Sequence, residues 1–344
     1  MAEINTYLKD IERIYDLELP WERLSGSNIL VTGATGLIGS CLVEVLLRNP
    51  KRDYQVYASG RDEGRALSRF KDFAKDNSFH FIKYDVMKPF TVDTRQDFII
   101  HAASNANPNF YVKQPVEVMK ANFDGVSNLI EYGIKNGMKR FLYVSSGEVY
   151  GEGDGRTFTE DYSGYVNNTS PRSCYPSSKR ASETLCVSYI SEYNIDAVIA
   201  RPSHVYGPYF TPNDNRVYAQ FIRNVLNNED IIMKSNGEQY RSWCYVVDCV
   251  SALLYILLKG ECGEAYNIAD ESSNISIRDL AEMIASIGGK KVVLCSTDTS
   301  EALGYNPVKR SVFSTEKLKE LGWTVNGSMY EKMNRSIFEC KGVK

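Results

Sequence analysis

The chain has 344 residues, 40 Lys and Arg against 43 Asp and Glu, a formal net charge of -3 and 43% hydrophobic residues. That length accommodates two modest domains or one large α/β unit with a proper core. The near balance of charge, scattered along the chain, gives no electrostatic reason to expect a nucleic acid or a membrane surface as partner. The 8 Cys are dispersed without a CxxC pair and the 3 His lie far apart, so the cysteines read as small buried hydrophobes and no metal site is expected. The N-terminal stretch carries charges from Glu3 on and has no signal-peptide core, and no window is apolar enough to span a membrane; a soluble cytoplasmic protein is expected.

Residues 1–26 read as an added helix, with Leu8, Ile11 and Ile14 at helical spacing and a Pro20-Trp21 anchor. From Asn28, short apolar runs (NILVTG, YQVYASG, FHFIKYDV, DFIIHAAS, RFLYVSSGEVY, DAVIARPSHVYG) alternate with longer helical stretches. This alternation predicts an α/β fold: a Rossmann-type, doubly wound parallel sheet with helices on both faces. Beyond Gly207 the alternation weakens and Pro and Asn accumulate, which predicts a smaller, discontinuous C-terminal α/β substrate lobe. The expected division is 27–204 for dinucleotide binding, joined by about 240–262, with 205–239 and 263–344 forming the lobe.

NILVTGATGLIGS places Gly33, Gly36 and Gly39 directly after a strand and before a helix. Glycine suits a sharp turn, a close backbone approach to a pyrophosphate and tight helix-on-strand packing, and the helix N-terminus presents N–H groups to phosphate oxygens. Thr35, Leu37 and Ile38 complete that cradle. After the second strand comes Ala58-Ser59-Gly60-Arg61, with no acid at the strand end. Arg61 suits a ribose 2′-phosphate and so favours NADP; the alternative leaves Arg61 in solvent and gives the ribose of NAD to Asp62. Asp85-Val86 closes the third strand where an adenine edge would lie, and Ala102-Ala103-Ser104 ends the fourth.

Tyr175 and Lys179 are four apart, hence on one face of a helix, and Pro176 restricts them to its first turn. A tyrosine base needs nearby positive charge to ionise near neutrality, which Lys179 and an oxidised nicotinamide supply. Ser146, ending the strand FLYVSS, can hydrogen-bond the same reacting oxygen, and Glu148, two residues on along that strand, would share its side.

With TGATGLIG, HAAS, Asn122 in KANFDG, SSGEVYG, YPSSK, RPSHVYGP, the YRSWCYVVD block and YNIAD, the chain resembles the extended short-chain dehydrogenase/reductase family acting on nucleotide sugars, from about Asn28 to Trp323. The resemblance implies that Ser146, Tyr175 and Lys179 oxidise a sugar hydroxyl, usually at C4, with hydride passing to NAD or NADP. The keto sugar is then epimerised, dehydrated, decarboxylated or released; a protein that keeps the fold without catalysis is the alternative class. Glu148 is similar to the carboxylate of the 4,6-dehydratases and UDP-glucuronate decarboxylases, and would move a proton next to the ketone. Gly147 departs from both, which carry Asp and Ser there. HAASNANPNFYVKQP and GPYFTPNDNRVYAQFI resemble decarboxylase segments, the first with Asn105 and Asn107 in place of Pro and Ser, the second with Arg216 at the matching arginine. Asn107, Ser146, His204, Arg216 and Arg241 are the implied substrate contacts, with His204 where the family carries Asn. The resemblance also implies a homodimer through the helices at about 115–136 and 177–193.

Overall fold

The computed structural model describes residues 6–295 and 308–341. Its main sheet has seven parallel strands. They are β1 (Asn28–Thr32), β2 (Gln55–Gly60), β3 (Phe79–Lys83), β4 (Phe98–His101), β5 (Arg140–Val144), β6 (Ala197–Pro202) and β10 (Ala265–Ile268), in the order β10-β6-β5-β4-β1-β2-β3. The order reverses beside β1, whose neighbours are β2 and β4. In doubly wound sheets that reversal opens a crevice above the C-terminal strand ends.

Both sheet faces are covered, which is why the strands read as continuous apolar runs. Ile29 and Val31 pack with α2 (Leu37–Arg48) and α8 (Val246–Lys259). Leu30, between them, faces the opposite layer, formed by α5 (Pro115–Asn136) and α6 (Cys174–Tyr193). Short helices α3 (Glu63–Arg69) and α4 (Pro108–Lys113) follow β2 and β4.

The N-terminal extension forms α1 (Thr6–Glu12), shorter than the apolar spacing suggested, because Ile14 lies in the single 3-10 turn that follows. It is seated on α2: the Tyr7 hydroxyl donates to Glu44 at 3.2 Å and the Tyr15 hydroxyl to the Val45 carbonyl at 2.9 Å.

A second, four-stranded sheet is built around β9 (Tyr240–Tyr245). β7 (His204–Tyr206) and β13 (Arg310–Ser311) run parallel to it, and β11 (Asp270–Ser276) antiparallel. Two further strands, β8 (Ile231–Met233) and β12 (Val292–Leu294), pair beside α7 (Val217–Leu226) and α9 (Ile277–Gly288).

Strand pairing shifts the expected segment boundaries. β10, assigned by sequence to the lobe, is an edge strand of the main sheet, and β9, expected within the returning segment 240–262, belongs to the small sheet; only α8 of that segment packs on the main one. These short strands carry no mark in the sequence of which sheet they join. The third strand stops at Lys83, so Asp85 and Val86 lie in the following turn, where the Met87 N–H donates to the Asp85 carboxylate at 3.2 Å. Cys41, Cys174, Cys186, Cys244 and Cys249 are buried as expected, whereas Cys262 and Cys295 are exposed. Among the described residues no helix is long and apolar enough to cross a membrane.

Candidate active site

At the crevice, Gly33 has φ +68°, and a Cβ there would lie 2.7 Å from the Ala103 Cα and 2.8 Å from the Ala102 carbonyl. A larger residue would be strained and would force the β1 and β4 loops apart. A Cβ on Gly39 would meet the Gly33 oxygen at 2.3 Å, so this glycine lets α2 start tightly on the turn. Gly36 differs: a Cβ there would touch only the Gly33 oxygen, at 3.2 Å, leaving its other side open. Gly36 is also the N-cap of α2 without a side-chain cap bond, so the first-turn amides of Leu37, Ile38 and Gly39 face outward without an intrahelical acceptor. Thr35 borders Gly60 at the end of β2.

On the far side of the crevice a polar network replaces backbone contacts. Ser104 donates to the Asn122 side-chain oxygen at 2.8 Å, Asn122 donates to the Ser178 hydroxyl at 3.0 Å, and Ser178 donates to the Tyr175 carbonyl at 3.0 Å. Asn122 is wholly buried, so each of these bonds satisfies a group that would otherwise be desolvated without a partner. Tyr175 stands in the first turn of α6, as Pro176 requires. Burial pushes its phenol up to about 12, while hydrogen bonds with Ser146 and Ser104 and the charge of Arg216 pull downward and Glu148 pushes up. Lys179 is 1% exposed and donates to the Val144 carbonyl at 2.9 Å; burial pushes its ammonium down to about 7 against the pull of Glu183. Its Nζ lies 5.8 Å from the Tyr175 ring centroid.

Ser146 and Glu148 depart from the expected strand geometry. β5 ends at Val144, and residues 147–150 form a 3-10 turn for which Ser146 is the N-cap, its hydroxyl accepting the Glu148 N–H at 3.2 Å. The two side chains are thus related by a turn rather than by strand alternation. Glu148 forms a bidentate ion pair with Arg172, at 3.0 and 3.1 Å. A Cβ on Gly147 would lie 2.0 Å from Phe313 Cζ, so the ring of Phe313 fills the space a side chain at 147 would need.

The implied substrate contacts come from both sheets. Arg216, the N-cap residue of α7, is paired with Asp214 at 2.9 Å. Arg241, 3% exposed on β9, donates to the Tyr240 and Lys309 carbonyls at 3.0 and 3.1 Å and to that of Val308. Burial pushes Arg241 down to about 10, with Glu148 pulling it up. His204 packs beside Trp243, and burial, then Arg241 and Arg216, push it down to about 3, so it is a neutral imidazole near neutrality. Its Nδ1 is buried without a partner among the described residues. These electrostatic couplings place Glu148, Tyr175, His204, Arg216 and Arg241 in one neighbourhood. Asn107 serves locally: its side chain caps α4 and donates to the Asn213 carbonyl at 3.1 Å, joining the two loops.

A family model described as the NAD dependent epimerase/dehydratase family matches residues 29–269. The chain belongs to that family. It is 33% identical to UDP-glucuronic acid decarboxylase 6 of Arabidopsis thaliana over 87% of this chain and 84% of the relative. It is 28% identical to UDP-glucuronic acid decarboxylase 1 of Xenopus tropicalis over 98% and 78%. Among solved structures, the UDP-glucose 4-epimerase of Thermotoga maritima superposes with a TM-score of 0.78 at 25% identity, covering 92% of this chain and 99% of that one.

For a member of the NAD dependent epimerase/dehydratase family, the crevice fits a dinucleotide: the open side of Gly36 and the uncapped α2 terminus suit a pyrophosphate. Asp62 lies just beyond β2. It is the N-cap of α3, its carboxylate accepting the Arg65 N–H at 3.0 Å, while Arg61 is exposed. The family match establishes NAD dependence, and nothing in the Arg61 geometry adds a preference for NADP.

Sequence reasoning missed His101, Tyr111, Arg172 and Phe313. The His101 Nδ1 is 2.7 Å from the Thr32 hydroxyl, which also accepts the Ala103 N–H at 3.3 Å, locking the β1 and β4 ends together. Burial, then the Lys179 charge, pushes this histidine down to about 3, so it remains neutral. Arg172, three residues before Tyr175, could have been suspected from that proximity; Tyr111 and Phe313 carried no local signal.

Proposed function

We propose that the protein is a nucleotide-sugar decarboxylase acting on a UDP-hexuronate, with NAD held in the β1/β4 crevice by Gly33, Thr35, Gly36, Leu37, Ile38, Gly39, Asp85, Val86, Ala102, Ala103 and Ser104. Asn122 supports this crevice through Ser104 and Ser178. NAD, when bound, supplies the hydride acceptor and later returns the hydride. Tyr175 takes the proton of the sugar hydroxyl, Ser146 hydrogen-bonds the same oxygen, and Lys179, 5.8 Å from the Tyr175 ring centroid, supplies positive charge in its protonated form. A ketone at C4 makes the C5 carboxylate a β-keto acid. The C5–C6 bond then breaks with its electron pair moving toward the C4 oxygen, carbon dioxide leaves, and C5 takes up a proton in the neighbourhood of Glu148.

The observation that carries this reading over dehydration is the closure of position 147 by Phe313 beside an ion-paired Glu148. Elimination of water needs a base for the C–H and an acid for the departing hydroxyl, whereas the bond-breaking step of a β-keto acid needs neither. Arg216 and Arg241 bring guanidinium groups to the substrate diphosphate or carboxylate, and neutral His204 offers a ring nitrogen to a sugar hydroxyl.

Incubation with UDP-, dTDP-, GDP- and CDP-sugars followed by mass spectrometry tests the proposal. UDP-glucuronate should lose the mass of carbon dioxide; loss of water, or unchanged mass with altered NMR couplings, would replace decarboxylation by dehydration or epimerisation. The exposed Val116, Met119 and Phe123 on α5 and Val187 on α6 support a homodimer through these helices. Sedimentation at micromolar concentration should give the dimer mass, and a monomer would reject this interface.

A further inference from the structure

Arg172 occupies a junction that the proposed chemistry does not by itself require. It lies in the single turn Pro171–Ser173 that leads into α6. Its guanidinium grips both Glu148 oxygens, and the two side chains are only 16% and 22% exposed. The same guanidinium lies 4.7 Å over the ring of Tyr111, on α4. Tyr111 in turn stacks on Tyr175, with ring centroids 4.8 Å apart and planes inclined by 20°. Arg172, Tyr111 and Tyr175 therefore form a continuous stack, and the ion pair ties the turn carrying Ser146 and Glu148 to that stack.

We infer that Arg172 is a positioning residue: it neutralises Glu148 beside Tyr175 and braces the Tyr175 ring through Tyr111, so that a carboxylate and a phenolate can work in one pocket. This rests on the reading of Tyr175 and Glu148 as the acid–base groups. An anion near a phenol opposes its ionisation, and Glu148 acts on Tyr175 in that sense. Arg172 is placed to offset it. Lysine cannot reproduce this role, because only a planar guanidinium grips both oxygens and stacks on a ring at once. The charged and titratable groups around Tyr175 are Glu148 from the 147–150 turn, Tyr111 from α4, Tyr143 from β5, Arg172, Cys174 and Lys179 within α6 and Arg216 at the start of α7. Arg241 of β9 is also coupled to Glu148.

The test is the pH profile of kcat/KM with UDP-glucuronate for wild type, Arg172→Gln, Arg172→Lys and the double variant Arg172→Gln/Glu148→Gln. Arg172→Gln should move the ascending limb to higher pH by about one unit, and the double variant should return it to the wild-type position because the uncompensated anion is gone. Arg172→Lys should keep the limb in place yet lose about tenfold in kcat as the stack loosens. An Arg172→Gln profile unmoved in pH, or a shift that persists in the double variant, overturns the inference and leaves Arg172 a structural ion pair. If wild type turns over only a sugar without a carboxylate, the decarboxylase reading fails, and the same profiles are measured on that sugar. If no sugar is turned over, thermal melts decide: Arg172→Gln should lower Tm more than the double variant does, and purely additive losses overturn the pairing.

Discussion

The two halves of the site are built by different means. The crevice between β1 and β4 is a matter of backbone: Gly33, Gly36 and Gly39 lie within one strand–turn–helix unit, and their fit is set by φ and by the close approach of the β4 loop. The pocket around Tyr175 is a matter of side chains, joining the turn after β5, α4, α6, α7 and β9 through ion pairs and stacked rings. Backbone cradles recognise what every dinucleotide shares, whereas a pocket assembled from long-range charges can change its reaction without disturbing the fold. Position 147 illustrates this: its neighbour Phe313 comes from a segment far along the chain and fills the space that a side chain next to Glu148 would need.

The contrast can be broken most severely at the reacting group. Tyr175→Phe should lower turnover of UDP-glucuronate by about a thousandfold while leaving the thermal melt near that of wild type; retained turnover would remove Tyr175 from the proton transfer. In the cradle the reverse holds, because Gly33→Ala forces a Cβ into the Ala102-Ala103 backbone at positive φ. Its loss should be one of stability, about 3 kcal/mol in urea unfolding, and an unchanged midpoint would show that the loops can part.

Gly147→Ser should destabilise by about 1–3 kcal/mol, since a buried aromatic ring must move, and this added cost should shrink when it is measured in a Phe313→Ala background. An equal cost in both backgrounds would mean that Phe313 is not what closes the position.

Lys179 gives a pH signature. From about pH 7 up to its ordinary value of 10.5, the unfolded chain binds a proton at Lys179 that the folded chain does not, so raising pH favours folding. Below that window both states are protonated and the dependence ends. The stability difference between wild type and Lys179→Met should therefore shift toward wild type as pH rises, by at most about 1.4 kcal/mol per unit; a flat difference would show that Lys179 is protonated in the folded protein throughout.

The smallest effect is expected at the exposed Arg61. Arg61→Ala should leave NAD binding within about twofold of wild type, and a larger loss would show that this guanidinium touches the bound dinucleotide.

Much of the cradle was legible because it is local. A glycine array between an apolar strand and a helix constrains the backbone within a dozen residues, and the Tyr175–Lys179 spacing holds on any helix. Glu148 was legible as a residue but not in its geometry: strand alternation was the natural extension of FLYVSS, and the chain instead turns at Ser146, whose hydroxyl caps the turn. Arg61 and Asp62 looked like ribose readers because they follow the second strand, yet Asp62 is engaged by the start of α3. The segment after Gly207 was the least legible, since strands of two to seven residues can join either sheet.

The sequence by itself determined the doubly wound parallel sheet, the glycine turn between β1 and α2 and the placing of Tyr175 and Lys179 in the first turns of one helix, because period, turn chemistry and helical spacing are properties of neighbouring residues. Only the tertiary structure decided that Glu148 is held by Arg172, that Tyr111 carries that contact to Tyr175, and that Phe313 closes position 147. Those are encounters between segments remote in the chain, and their physical basis is burial: once water is excluded, a carboxylate requires a cation and a ring requires a face to pack on, and which ones are supplied depends on how the sheets and helices meet.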